Sequence, residues 1–444
     1  GDLGGQIEMP ATAIKVHQDH IGGGFGSKFQ SDQWGAFCAR LSKQSGGRPV
    51  KFFLDRHIEL MIAGNRPSHY AKITLGADSA GKITLWESDS WSTAGFTGGN
   101  IPPIPYVFTK IANQRLTHNA VSTNNGPQRA WRGPNHSQAS YLTCAAIDDL
   151  AAKMGKDPLE VFLANFDLTA RGEAYTRQLQ KAAKLIDWQA NWKGRGKNRQ
   201  GHIAHGLGIG VATWGGAGHD SRATARIHPD GTVELECGTQ DLGTGTRTIM
   251  TQVAAETLGL PMDAIRLKIG ENAYPPSGAS GGSTTSGGVS SSTRIATTDV
   301  LNQLFEQLSA SLDNTPAANL EAKNGRIQVK GNASKGMTWR EACRKLASPI
   351  EALGRNNPRN PRGLNTGGAA GVQVAKVSVD TETGVVTLDK IVAVQDCGLI
   401  LNLKTAESQV YGAMIMSVCG ALYEERIVDE VSGRMLNADM EFYK

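Results

Sequence analysis

No two of the six cysteines, Cys38, Cys144, Cys237, Cys343, Cys397 and Cys419, stand at C-x-x-C spacing. That argues against a zinc or iron–sulfur site built from neighbouring thiols, and buried free thiols in a reducing compartment are expected instead. No Lys/Arg run reaches five residues, and 46 basic against 41 acidic residues leave a formal charge of only +5. A nucleic-acid binder is therefore not indicated. No apolar run is long enough to span a bilayer. The longest, "VYGAMIMSVCGALY" at 410–423, carries small residues at helical spacing and reads as a core helix. Neither an initiator Met nor a signal peptide opens the chain, and "MEFYK" ends it without tail-like composition, so an internal piece of a longer polypeptide is expected. What remains is ordinary soluble composition, 39% hydrophobic and 20% charged, over 444 residues, enough for two or three domains.

Glycine is the outlier, with 53 residues gathered in patches: "GGGFG" (22–26), "GLGIGVATWGGAG" (206–218), "GTQDLGTGTRT" (238–248) and "GASGGSTTSGG" (278–288). Glycine costs conformational entropy and is kept where the chain needs unusual dihedrals or a close approach. A nucleotide phosphate loop is the first suspicion, and it fails. The P-loop pattern is absent, and the dinucleotide fingerprint has Thr248 or Ser27 where its third glycine belongs. "GGAG" reads as ordinary turns. "GTQDLGTGTRT" opens directly into a helical pattern, which would present backbone N–H groups at the positive end of that helix. Ser283, Thr284 and Thr285 add hydroxyls on a second such loop. Loops of this kind form anion-binding concavities without lysine, suited to a large, phosphorylated, polar cofactor.

The spacing of Trp34, Phe37, Cys38 and Leu41 predicts one helical face, and "GGRPVKFFLDR" (46–56) reads as a buried strand. Hairpins are expected at 71–91, at 222–238 around Pro229-Asp230-Gly231, and at 376–394. Helices are expected at 136–165 on a Leu142/Ala145/Ala146/Leu150 stripe, at 247–258 and at 407–423. The polar stretch 185–203 suggests a domain boundary, dividing the chain into 1–190 and 200–444. Hairpins packed beside helices, without strict strand–helix alternation, indicate an α+β fold.

Five motifs occur in order: "GGGFGSK", "QRAWRGPNHSQAS" (128–140), "GTQDLGTGTRT" with "QVAAETLG", "GGSTTSGG", and "QDCGLILN…QVYGAMIMSVCGALYEE". Together they resemble the molybdenum-binding large subunit of the xanthine dehydrogenase/aldehyde oxidase family, over the whole chain. The resemblance implies two molybdopterin-binding domains, here partial and truncated, without the family's N-terminal hammerhead domain. It implies that Gly24, Phe25 and Gly26 bring backbone beside the molybdenum and that Arg132 lines the same centre. It places the pterin against Gln240, Gly243, Thr244, Gly245, Thr246, Thr248 and Gln409, and its phosphate against Ser283 and Thr284. Thr244 stands where the family has Gln, which puts that side-chain contact in doubt. The metal is held through the pterin, with no direct side-chain ligand.

The implied function is hydroxylation of an aldehyde or N-heteroaromatic small molecule with water as oxygen source. Purine-oxidising relatives have an acidic residue where this chain has Phe29, and carbon monoxide dehydrogenases have Cys where it has Gly133. The implied cofactor is molybdenum-molybdopterin, with the cytosine dinucleotide as one of the forms left open. An iron–sulfur subunit carrying [2Fe-2S] and an FAD subunit are the implied partners. A cytoplasmic location is expected, or a periplasmic one reached through a partner's export signal. The family's general-base Glu lies in a "G-E-P"-like motif, expected beyond Lys444, so no catalytic residue is assigned and this piece alone is expected to be inactive. Glu424 and Glu425 read as ordinary surface carboxylates. The competing reading is a non-catalytic homologue or fragment serving as an assembly subunit.

Overall fold

The computed structural model describes residues 2–93, 95–97, 103–359 and 368–443. Two compact units interleave along the chain: Gly1–Phe52, Gly216–Gly367 and Leu401–Ala406 form the first, and Phe53–Gly215, Gly368–Ile400 and Glu407–Lys444 the second. This partition differs from the division by sequence order. The polar stretch 185–203 lies inside the second unit, where Trp188 is 2% exposed and donates from Nε1 to Asp157.

In the first unit, strands Ser221–Ile227 and Val233–Cys237 pair as the expected hairpin, and Asp230 Oδ1 accepts from Thr232 N–H in its turn. Ile350–Asn356 and Ile265–Ile269 extend the sheet on either side, the latter parallel. Strict alternation sends Ala223, Ala225, Ile227, Val233 and Leu235 inward, as a half-buried sheet requires. The helices Thr246–Leu258 and Thr285–Leu308 supply the rest of this core. The second of these has no counterpart in the sequence reading. Its inward face runs Val289, Ser292, Thr293, Ala296, Val300, Leu304 and Leu308, a 3.6-residue stripe. A small sheet of Leu320–Lys323, Arg326–Val329 and Asn332–Thr338 completes the unit.

The second unit holds the other two expected hairpins. His69–Ala77 pairs with Ile83–Thr93, and Asn113–Val121 adds in parallel. Ala369–Asp380 pairs with Val386–Asp396 and, on its other edge, with Ile203–Trp214. The expected 136–165 helix is two, His136–Lys153 and Pro158–Asn165, because Asp157 caps a new start with Pro158 in its first turn. The buried stripe is Ala139, Thr143, Cys144, Ile147 and Ala151, with Leu142, Ala146 and Leu150 at its margin. Phe108, Phe162, Phe166 and Tyr175 fill the core, Phe108 and Phe166 stacked at 6.0 Å. Mixed sheets with packed helices make the fold α+β, as expected.

Three expectations fail on burial. The 46–56 segment forms no strand, and Phe53 is 77% exposed. The helix Trp34–Gln44 forms, but only Ala36 is buried on it. The apolar helix Leu403–Leu422 also forms, yet none of its residues is buried, so it is not a core helix of this chain. All six cysteines are free, with Cys144, Cys237 and Cys343 buried and Cys397 exposed. Among the described residues, no helix is long and apolar enough to cross a membrane.

Candidate functional site

The first unit gathers three of the four glycine patches. At the "GGGFG" turn, Gly22, Gly23, Phe25 and Gly26 all take positive φ, and Gly24 O accepts from both Ser27 N–H and Ser27 Oγ. A left-handed phenylalanine costs on the order of 1 kcal/mol, strain of the kind that clusters at functional sites. Phe25 is 41% exposed while Gly24 is buried, with a Cβ position 3.7 Å from Leu242 of the 238–248 patch. The 238–248 patch is tied to the 278–288 patch by Ser280, whose Oγ donates to Gln240 O at 3.1 Å. Phe29 lays its ring on Gly281, where any Cβ would come within 2.1 Å of Cζ.

The glycines of the 278–288 patch serve internal close approaches as much as open ones. Gly278 and Gly288 make room for the His219 imidazole, and Gly287 for the backbone of Gly218. Gly218 was expected to be a turn glycine; a Cβ there would lie 2.6 Å from Gly287 C. That is a backbone contact, with no side chain to move aside. His219, which no sequence signal singled out, keeps both ring nitrogens buried and unpartnered, and burial lowers its pKa. Replacing Gly281 by alanine is expected to swing the half-exposed Phe29 ring off the loop at a cost below about 1 kcal/mol, because only the tip of a flexible side chain must move. Faster amide exchange in both 22–28 and 279–288 checks it.

The two helix starts in this unit differ sharply. The Thr246–Leu258 helix begins after Gly243 and Gly245, both left-handed, and its N–H groups already have an acceptor. Asp241 Oδ1 accepts from Gly243 and Gly245 at 2.9 and 3.3 Å, and Oδ2 from Arg247 at 3.0 Å. Burial pushes the Asp241 carboxyl up, but these backbone donors outweigh it and hold its pKa below the ordinary value. The anion-binding concavity expected from "GTQDLGTGTRT" is thus filled by the loop's own carboxylate. Thr246 is buried, Thr244 half-buried and Thr248 exposed, so these three threonines do not share one face. The Thr285–Leu308 helix is open by contrast. Ser283 is left-handed, Thr284 Oγ1 turns back to Gly281 O, and the N–H groups of Ser283, Thr285 and Ser286 meet no acceptor among the described residues.

In the second unit, Arg132 and Gln409 are brought together. Arg132 Nη2 donates to Gln409 O at 2.5 Å and lies 3.5 Å from its Oε1. Gly412, one turn along the same helix, admits the guanidinium, with a Cβ position 3.4 Å from Arg132 Nη1. Arg66, absent from the sequence reading, orders this loop. Its Nη1 donates to Gly133 O and Ser137 Oγ, and its Nη2 to Trp131 O and Arg132 O. Both arginines are buried enough for desolvation to lower their pKa values. Nearby, the Gln128 Oε1 atom is buried without a partner. Glu424 and Glu425 are exposed, and Glu424 Oε1 accepts from Tyr443. Among the described residues, no three His, Cys, Asp or Glu side chains converge as a metal site.

Two family profiles, each described as a molybdopterin cofactor-binding domain, match residues 3–166 and 181–444. The aldehyde oxidoreductase molybdenum-binding subunit PaoC of Escherichia coli (strain K12) is 30% identical, covering 100% of this chain and 60% of the relative. The xanthine dehydrogenase molybdenum-binding subunit of Escherichia coli O157:H7 is 25% identical, covering 100% and 62%. Among solved structures, quinoline 2-oxidoreductase from Pseudomonas putida 86 superposes with a TM-score of 0.84 at 21% identity, over 100% of this chain and 61% of that one. The chain thus spans about 60% of the length of the relatives it matches.

Proposed function

The chain belongs to the molybdopterin cofactor-binding family, and from that premise we propose that it holds the molybdenum cofactor of an oxidoreductase that hydroxylates an aldehyde or N-heteroaromatic compound. The observation that carries this reading is the first unit's set of glycine-rich loops, tied together through Leu242, Ser280 and Phe29 and ending in a helix start with open N–H donors. A large polar cofactor bound through backbone amides needs that arrangement, and unpartnered donors and left-handed turns fit one. When bound, the cofactor supplies the oxygen-transfer and hydride-accepting chemistry.

The chain's own residues then position it. Gly24, Phe25 and Gly26 bring bare backbone to the metal end. Ser283 and the first turn of the 285–308 helix receive the phosphate, since the N–H groups of Ser283, Thr285 and Ser286 meet no acceptor among the described residues, and Thr284, whose own N–H goes to Gly281 O, stands between them. Around the 240–248 loop the pterin meets Gln240, Gly243, Thr244 and Gly245 as neutral contacts, because Asp241 already places negative charge there. Of the remaining two threonines, Thr248 faces outward and Thr246 supports the helix from within. Arg132 and Gln409, held together by the bond from Arg132 Nη2 to Gln409 O, are further cofactor contacts in this reading. No residue of this chain is assigned as the general base.

Aldehydes and N-heteroaromatics are favoured because Phe29 stands where purine oxidation uses an acid, and its ring is committed to Gly281. Electrons leave through [2Fe-2S] and FAD on partner subunits, in the cytoplasm or after export with a partner. The test is purification of the protein in its native assembly, followed by metal analysis and oxidation of any released pterin. Molybdenum, a fluorescent pterin and cytosine nucleotide, with iron and flavin co-purifying and aldehyde oxidation restored, are expected. A native assembly free of molybdenum and pterin would sink the reading. Loaded protein that oxidises no aldehyde or heteroaromatic compound would favour the assembly-subunit role.

A further inference from the structure

We propose that the first unit carries a second ligand site, separate from the glycine loops, that takes an aromatic carboxylate. A cavity of about 330 Å³ opens beside the Trp34–Gln44 helix, lined by Trp34, Phe37, Phe52, Gln6, Gln33 and Arg40. Its size suits a small planar molecule. Three aromatic rings form the wall. Trp34 and Phe52 stack at 6.1 Å, and Phe37 meets Phe52 edge-on at 5.4 Å. Phe37 and Phe52 remain 47% and 38% exposed, so the rings have found each other but not a cover. A planar aromatic guest would offset-stack on such a wall and take it out of water.

Arg40 supplies the polar end. Its Nη2 donates to Gln6 O at 3.1 Å, and Gln6 is itself anchored through Nε2 to Asp32 O at 2.7 Å. That single bond uses one of the five guanidinium donors and holds the fork in place. No carboxylate pairs with Arg40 among the described residues, and Arg40 is the one charged side chain among the residues lining the cavity. An anchored guanidinium with donors to spare, beside an aromatic wall, selects an anion with a planar apolar body. Bidentate pairing with a carboxylate is the strongest use of that fork. Acetate lacks the body and benzamide lacks the charge, so neither satisfies both halves of the site. The inference does not rest on the cofactor reading, because no residue of the cavity belongs to the glycine loops.

Isothermal titration with 2-naphthoate, benzamide and acetate tests it on the protein as isolated. We expect saturable 2-naphthoate binding with a Kd on the order of 0.1 mM, a plausible strength for a ligand of this size. Arg40→Gln should weaken it about tenfold or more, as should Phe37→Ala; both side chains are exposed, so the variants keep their fold. Unchanged melting temperatures would certify that. The proposal is overturned if 2-naphthoate shows no saturable binding at millimolar concentration, if acetate or benzamide binds as well, or if Arg40→Gln leaves the affinity unchanged. Molybdenum content is expected to be the same in both variants, so this test and the cofactor test fail separately.

Discussion

Replacing Arg66 by alanine is expected to cost the second unit about 2–4 kcal/mol, and with it the placement of Arg132. One guanidinium holds three consecutive carbonyls, those of Trp131, Arg132 and Gly133, and the Ser137 hydroxyl. Removing it takes a charged donor from all four acceptors at once, and only Gly133 O is known to keep a second donor, His136 N–H at 3.1 Å. The neighbouring Asn65 doubles the clamp. Its backbone bridges to Pro127 and Arg129, its Nδ2 donates to Gly126 O, and its Oδ1 accepts from Arg426 at 2.8 Å. Arg132 reaches Gln409 only from a loop held in this way. A fall in melting temperature of roughly 5–10 °C should appear by calorimetry. Molybdenum retention should fall further than in Arg132→Ala, since Arg66→Ala frees the entire loop. Arg66→Lys should sit between, as a point-charge ammonium cannot span three carbonyls. An Arg66→Ala protein with native melting and full metal content would show that the loop orders itself.

Arg66 was illegible in the sequence for a physical reason. Its partners are main-chain carbonyls, which carry no residue signature. The hairpins were legible because alternation and turn chemistry are local, as at Pro229-Asp230-Gly231, where Asp230 closes its own turn. The Thr285–Leu308 helix was not. It opens Thr-Ser-Gly-Gly-Val-Ser-Ser-Ser-Thr, poor helix formers throughout, and is held by the sheet beneath it. Gly354 in that sheet brings bare backbone so close that a Cβ would stand 2.1 Å from Ser292 O. Small residues on both sides allow the approach, and no single-chain periodicity reports it. The glycine patches were rightly singled out as close-approach backbone, but their partners were only partly foreseeable. Gly278, Gly281 and Gly288 admit His219 and Phe29, side chains supplied from distant positions in the sequence. The 46–56 and 403–422 segments mislead in the opposite direction, being apolar in sequence and uncovered in the fold.

Asp241→Asn is the other change with a large expected effect, about 2–3 kcal/mol of first-unit stability. The two carboxylate oxygens accept from three backbone donors, and asparagine must turn an NH2 group toward at least one of them. The sign of the pH dependence follows from the depressed folded pKa. The charged form is the stabilised one, so the contribution is present above the unfolded carboxyl value, about pH 4, and is lost as the pH falls through the lower folded value. The wild-type protein should therefore exceed Asp241→Asn in melting temperature at pH 7 and converge with it under acid. The same substitution separates two roles for the loop. With Asp241 in place, the helix start is already neutralised, and phosphate has no reason to bind there. Once the charge is removed, the freed N–H groups should bind inorganic phosphate weakly, while the 285–308 helix start binds it in both proteins. Equal phosphate binding by both proteins, lost on Ser283→Pro in either, would place the anion site wholly at the second helix. Tighter binding by the wild-type protein would mean that Asp241 does not close the first one.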